Sequence, residues 1–158
     1  MVKKPKIEIV RHTNHRFMFI DGYLWMWDTP QEKLLQEELA KQAYGDVLVA
    51  GYGFGILTQA ILKNPKVKSV TTAEKYNEVI KKISESGRVY GKIIISDFYK
   101  LPEKQKFDCV AGDIWPDIDS GFLDDYVKFK KKSKKLLKKN GKILAWGKDY
   151  FEYLLRQK

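Results

Sequence analysis

The stretch DVLVAGYGFGIL, residues 46–57, decides how this chain is to be read. VLVA is a short apolar run, as expected of a strand buried on both faces. It ends in Gly51-Tyr52-Gly53-Phe54-Gly55, and ILTQAILKN after it has the pattern of a helix. One glycine would suffice for a tight strand-to-helix turn. Three, spaced by single residues, permit positive φ and let a ligand approach the backbone closely. The plainer alternative is a packing turn with no ligand.

Outward from that turn, strands and helices alternate. VKSVTTA, GKIIISD, FDCVAGD and KILAWG read as strands, and NEVIKKISES, the span 121–139 and DYFEYLLRQ as helices. Such alternation predicts right-handed crossovers and an α/β fold with a Rossmann-like, mainly parallel sheet of five strands flanked by helices. Residues 1–28 form a small β-rich lead-in, KIEIVRH and RFMFIDGYLWMW, with Asp21-Gly22 as a hairpin turn. Residues 29–158 then form one compact domain. The first helix starts at DTP, with Asp28 or Thr29 as cap and Pro30 at its first position. Leu34, Leu35, Leu39 and Ala43 are its expected apolar face, and Gly45 its expected stop.

In such a sheet ligands sit beyond the carboxyl ends of the strands. The dinucleotide fingerprint G-x-G-x-x-G fails here, because its last position is Ile56. The G-x-G-x-G spacing suits a nucleoside carrying an amino-acid tail and no pyrophosphate. Glu74 ends the second strand of the sheet, where a carboxylate accepts hydrogen bonds from ribose hydroxyls. Its alternative is a solvated charge. Asp97 ends the third strand, with Phe98 as a wall for a base; its alternative is a turn or cap residue.

VLVAGYGFGIL, VTTAE, IISDF, FDCVAGD and KKNGKIL, in this order over roughly residues 46–147, resemble the motifs of class I S-adenosylmethionine-dependent methyltransferases. The resemblance implies that Gly51, Tyr52, Gly53 and Gly55 line the methionine side of S-adenosylmethionine. It implies that Glu74 and Lys75 lie at the ribose, and Asp97 and Phe98 at the adenine, with Asp113 also beside the cofactor.

Within that fold two relatives compete. FIDGYLWMWDTPQEKLLQEELAK resembles the polyamine aminopropyltransferases such as spermidine synthase, which use decarboxylated S-adenosylmethionine and carry a Glu-containing helix, matched by Glu32, Gln36 and Glu37. Trp25 stands at that family's glutamine, Leu35 at its tyrosine, and Asp113-Ile-Trp-Pro replaces its two-aspartate motif. WDTP at 27–30 and DIWP at 113–116 resemble guanidinoacetate methyltransferase and similar N-methyltransferases. Both families continue with two more strands after the fifth, and a homodimer partner is one way to complete the site.

Asp113 is the expected catalytic residue: its carboxylate would hold an ammonium or guanidinium and take its proton. Trp115 would give an apolar wall with affinity for a cation. Trp25 and Trp27 have strand spacing and share a face, either packing the lead-in on the sheet or walling the substrate. Asp28 is a second candidate carboxylate, or simply the helix cap. The leading function is methyl transfer to a small amine or guanidine. The alternatives are aminopropyl transfer, a non-catalytic cofactor-binding protein, and a nucleic-acid methyltransferase.

Composition bounds the rest. The apolar fraction of 44% is that of a globular chain. Cys109 is the single cysteine, so no internal disulfide forms. With no apolar leader and no span long enough for a bilayer, the expected compartment is the cytoplasm. His12 and His15 have no acidic or thiol companions nearby, and no metal is expected. The net charge is +10, and Lys128–Lys142 alone holds nine lysines and no acid. That face is read first as solvated, with nucleic acid the less favoured partner.

Overall fold

The computed structural model describes residues 3–112, 114–115 and 117–158. Asp113, the expected catalytic residue, and Pro116 lie outside the described residues.

The lead-in is an antiparallel sheet of β1 (Ile7–His12), β2 (His15–Ile20) and β3 (Tyr23–Trp27). Asp21 and Gly22 both have positive φ, 50° and 83°, the geometry that a two-residue hairpin turn requires. Asp21 also accepts a hydrogen bond from the Lys6 N–H at 2.8 Å, which ties the hairpin to the strand beside it.

α1 (Pro30–Ala40) is capped by Thr29 and begins on proline, as the sequence predicts. Its buried stripe is not the expected one. Glu32, Gln36 and Ala40 face inward at helical spacing, while Leu34 and Leu35 are exposed at 60% and 52%. Polar ties at both ends set the rotation of the helix. Asp28, just before it, is held by Arg16, and Asn64 donates to the Ala40 and Ala43 carbonyls at 3.0 and 2.8 Å. Gly45 does not end this helix. It opens the next strand, donating its N–H to the Lys66 carbonyl at 2.8 Å.

The second sheet is parallel, in the order β6-β5-β4-β7-β8: Lys92–Ile95, Val67–Glu74, Gly45–Ala50, Phe107–Gly112 and Leu137–Ala145. β4 is central, and the chain reverses its direction of travel across the sheet between β4 and β7. Side chains alternate along β4. Val47 and Val49 pack toward α1 and α2 (Ile56–Leu62) with Ile61 and Cys109. Leu48 and Ala50 pack on the other face with Phe98, Val110 and Phe129. Both faces are covered, which is why VLVA is continuously apolar. α3 (Asn77–Ser84) joins β5 to β6, and α5 (Lys148–Arg156) closes the chain.

α4 spans Leu123–Leu136, shorter at both ends than the predicted 121–139. Its buried face is Leu123, Tyr126, Phe129, Ser133 and Leu136. Leu137 turns extended and pairs with Phe107, and the ladder resumes at Lys142 opposite Cys109. Residues 138–141 therefore bulge out of β8, with Asn140 at φ 67°. The nine-lysine run is thus divided between a helix and an edge strand.

Candidate functional site

A cleft of about 750 Å³ opens over the carboxyl ends of β4, β5 and β7, beside the reversal in strand order. Gly51, Tyr52, Gly53, Glu74, Lys75, Asp97, Phe98, Trp27 and Trp115 all border it; Gly55 and Asp28 do not.

Gly51, Gly53 and Gly55 have φ of 82°, 54° and 76°, so each occupies the left-handed region that side chains avoid. Close approach adds a second reason at Gly53. A Cβ there would lie 1.9 Å from the Met26 sulfur of β3, so the lead-in sheet is seated directly on the turn. At Gly51 a Cβ would meet Ile114 at 3.2 Å. The turn is thus shaped by packing from its own chain as well as lying open to the cleft. Tyr52 is buried, and its hydroxyl accepts the Tyr90 N–H at 3.1 Å.

Glu74, at the end of β5, is 6% exposed. Its carboxylate accepts the Tyr52 N–H at 2.8 Å and the Tyr76 N–H at 3.0 Å. Burial pushes its pKa up, against the opposing pull of backbone N–H groups on the turn and on the residues after it. Glu74 borders the cleft with the N–H groups of Tyr52, Gly53, Lys75 and Tyr76 gathered around its carboxylate. The adjacent Lys75 is exposed, its ammonium 5.5 Å from the Tyr76 ring.

Asp97 caps the 3-10 turn Phe98–Lys100, accepting the Tyr99 N–H at 3.0 Å, and also borders the cleft. Phe98 is buried and stacks on Phe129 at 5.3 Å, so only part of its ring reaches the cleft. Trp115 is a core residue as much as a wall. It is 3% exposed, donates to the Trp146 carbonyl at 3.1 Å, and meets Tyr126, Phe129 and Phe151 edge-on.

Asp28 does not border the cleft, and its carboxylate accepts the Arg16 backbone N–H and the Arg16 Nε–H, the latter at 2.7 Å. Burial alone would raise its pKa, but the bonds and charge of Arg16 outweigh that and hold it low. Arg16 in turn lies 4.5 Å above the Phe54 ring, so Asp28 anchors the lead-in to the glycine turn.

The cleft has a second, aromatic and acidic half. Tyr23, Trp25 and Trp27 of β3 and Trp146 after β8 line it together with Glu32 and Gln36 of α1. Gln36 donates to the Glu32 carboxylate at 2.7 Å, and both side chains are buried. Glu37, on the same helix, is exposed and borders a separate groove between α1 and α2. Sequence periodicity pointed to the opposite face of α1 and gave no sign of Met26. Trp146 was detectable, because it follows the last strand at its carboxyl end. Among the described residues no cluster of three metal-ligating side chains occurs, and no helix is long and apolar enough to cross a membrane.

No family model matches the sequence, and no curated protein matches it. Solved structures do match. Spermidine synthase in complex with the transition-state analogue AdoDATO aligns with 87% of this chain at 18% identity and a TM-score of 0.63. Spermidine synthase from Thermotoga maritima aligns with 85% at 20% identity, also at 0.63. An S-adenosylmethionine-dependent methyltransferase from Clostridium acetobutylicum aligns with 72% at 21% identity and 0.50. The chain has the fold of these transferases. It spans about half their length, between 49% and 51% of each.

Proposed function

We propose that this chain binds S-adenosylmethionine and transfers its methyl group to a small amine or guanidine. One observation carries the reading: a single cleft joins the glycine turn and buried Glu74 to an aromatic wall holding Glu32. The first half matches the chemistry of a nucleoside with a polar tail. The second matches a cation, which aromatic faces attract and a buried carboxylate neutralises.

In this reading the cofactor, when bound, supplies an electrophilic methyl group on a sulfonium. The chain's own residues do the rest. Glu74 accepts the ribose hydroxyls, and Asp97 with Phe98 borders the base. Glu32 and the Trp25–Trp27 face hold the ammonium or guanidinium of the acceptor and exclude water. Asp113, which follows β7 in sequence, receives the proton that the nitrogen must lose before its lone pair can attack.

Aminopropyl transfer is the second reading. It is favoured by the broader overlap with the spermidine synthases, 87% and 85% of the chain against 72% for the methyltransferase. Calorimetric titration with S-adenosylmethionine, S-adenosylhomocysteine, decarboxylated S-adenosylmethionine and NAD separates the two. Micromolar binding of the first pair supports methyl transfer, and preference for the decarboxylated form supports aminopropyl transfer. Binding of NAD alone, or of none, rejects both. With an acceptor in hand, Asp113→Asn is expected to abolish turnover while leaving cofactor affinity within about twofold, the split expected of a proton acceptor.

A further inference from the structure

The lysine run was read first as a solvated helix face, and the tertiary structure changes its setting. The loop after β6 carries Lys100, Lys104 and Lys106, all exposed, and it lies directly against α4. Lys132 donates to the Leu101 carbonyl at 2.6 Å, and Lys106 donates to the Lys135 carbonyl. Two segments distant in sequence therefore bring their cations to one surface. The acid between them is Glu103, which faces Lys132 at 3.4 Å and Lys135 at 3.9 Å.

On the helix, Lys128, Lys131 and Lys135 are exposed and stand at i, i+3 and i+7, a single stripe about 10 Å long. The stripe begins at the functional cleft. Lys128 borders it, with its ammonium 4.0 Å above the Tyr99 ring, and Tyr99 borders the cleft too. Asp125, one turn earlier, lies near enough to Tyr99 to help burial raise that hydroxyl's pKa, so the acidic first turn of α4 ends where the stripe starts.

We infer that this surface, the α4 stripe with the loop 100–106, binds the phosphate backbone of a nucleic acid running past the mouth of the cleft. Concentrating like charges from two elements costs self-repulsion that a chain of phosphates relieves, with release of its counterions. A nucleic acid fits better than a membrane surface. The apolar face of α4 is spent on the core through Tyr126, Phe129 and Leu136, which leaves nothing to insert between lipids. This inference does not depend on the proposed transfer reaction.

The test is fluorescence anisotropy with a mixed-sequence single-stranded RNA of about 16 nucleotides, a length that one binding face can span. Salt is varied around the physiological range. Each lysine that meets a phosphate adds about 0.7 to the slope of log affinity against log salt. The triple variant Lys104→Glu, Lys131→Glu, Lys135→Glu is expected to bind at least about tenfold more weakly, with a slope shallower by about 2. Lys33→Glu, Lys63→Glu, Lys66→Glu makes the same change in net charge at the groove between α1 and α2. It is expected to stay within about twofold of wild type, because no phosphate contact is removed. Circular dichroism checks that both variants fold. Equal losses in the two variants would reduce the effect to net charge and overturn the inference. So would absence of RNA binding at physiological salt, or tighter binding to phosphatidylserine vesicles than to RNA.

Discussion

The two ends of the parallel sheet both set a carboxylate close to a glycine with positive φ, yet they treat the charge in opposite ways. At the amino end, Gly45 (φ 65°) leaves no room for a Cβ against Asp108. Asp108 and Asp46 share the Lys138 ammonium at 3.1 and 3.3 Å. Asp46 also accepts from the Ser69 hydroxyl at 2.7 Å, and Asp108 from the Asp46 N–H at 2.8 Å. These bonds hold both carboxyls below their usual range, led by Ser69 at Asp46 and by the Asp46 N–H at Asp108. At the carboxyl end, Glu74 is buried with backbone N–H groups as its partners, and burial raises its pKa. A compensated charge at the surface holds strands together. A buried carboxylate on the wall of a cavity, held by backbone N–H groups against its desolvation, is where binding chemistry is to be sought.

The largest expected effect tests the turn itself. Gly53→Val places a Cβ 1.9 Å from the Met26 sulfur and adds left-handed strain, so it should cost at least about 2–3 kcal/mol of stability and abolish cofactor binding. Gly45→Ala collides with Asp108 in the same manner and should also destabilise, by about 2 kcal/mol, but the surviving folded fraction should bind cofactor normally. Denaturant titration paired with calorimetry checks both. Lost binding in the Gly45 variant would erase the distinction between the two ends.

Next in size is the carboxylate. Glu74→Gln should weaken S-adenosylmethionine about 10- to 100-fold, the loss expected when charged hydrogen bonds become neutral ones. Asp108→Asn should leave that affinity unchanged. Asp28 ties the lead-in to the glycine turn through Arg16. Asp28→Ala strands Arg16 and should cost about 3 kcal/mol, read as a shift in denaturation midpoint.

The pH dependence of the two ends should run in opposite directions. Glu74 has a folded pKa above its ordinary 4.5, so the folded state holds the proton more tightly than the unfolded chain. Its contribution to stability is complete below 4.5 and is lost as pH rises through the raised value. Asp46 and Asp108 have folded values below 3.8, so their contribution is present above 3.8 and is lost as pH falls through those lowered values. If Glu74 holds the ribose as proposed, cofactor affinity should fall as pH drops through its raised value, and Glu74→Gln should flatten that limb. The smallest effect is expected at Lys138→Ala. Its ammonium is exposed to solvent, and the melting curve should move little from wild type.

Much of this was legible in advance. The five parallel strands, their intervening helices, the lead-in hairpin and the Thr29-Pro30 start all follow from periodicity and capping chemistry. That Glu74 and Asp97 would border a cleft was legible because both end strands at the carboxyl edge of the sheet. Less legible was the direction of α1: its leucines predicted one buried face, and Asp28–Arg16 and Asn64 impose another. The end of α4 was also obscured, since lysines continue through the helix into the bulge of β8 without a change in composition.

The sequence by itself determined the alternation of elements and the place of the glycine turn, because hydrophobic period and glycine's freedom at positive φ act over a few residues. Only the tertiary structure decided the strand order, the seating of Met26 on Gly53, the meeting of Glu32 and the tryptophans in one cleft, and the joining of two lysine segments into one surface. Those are contacts between residues far apart in the chain, and they are settled by packing and burial rather than by any local preference.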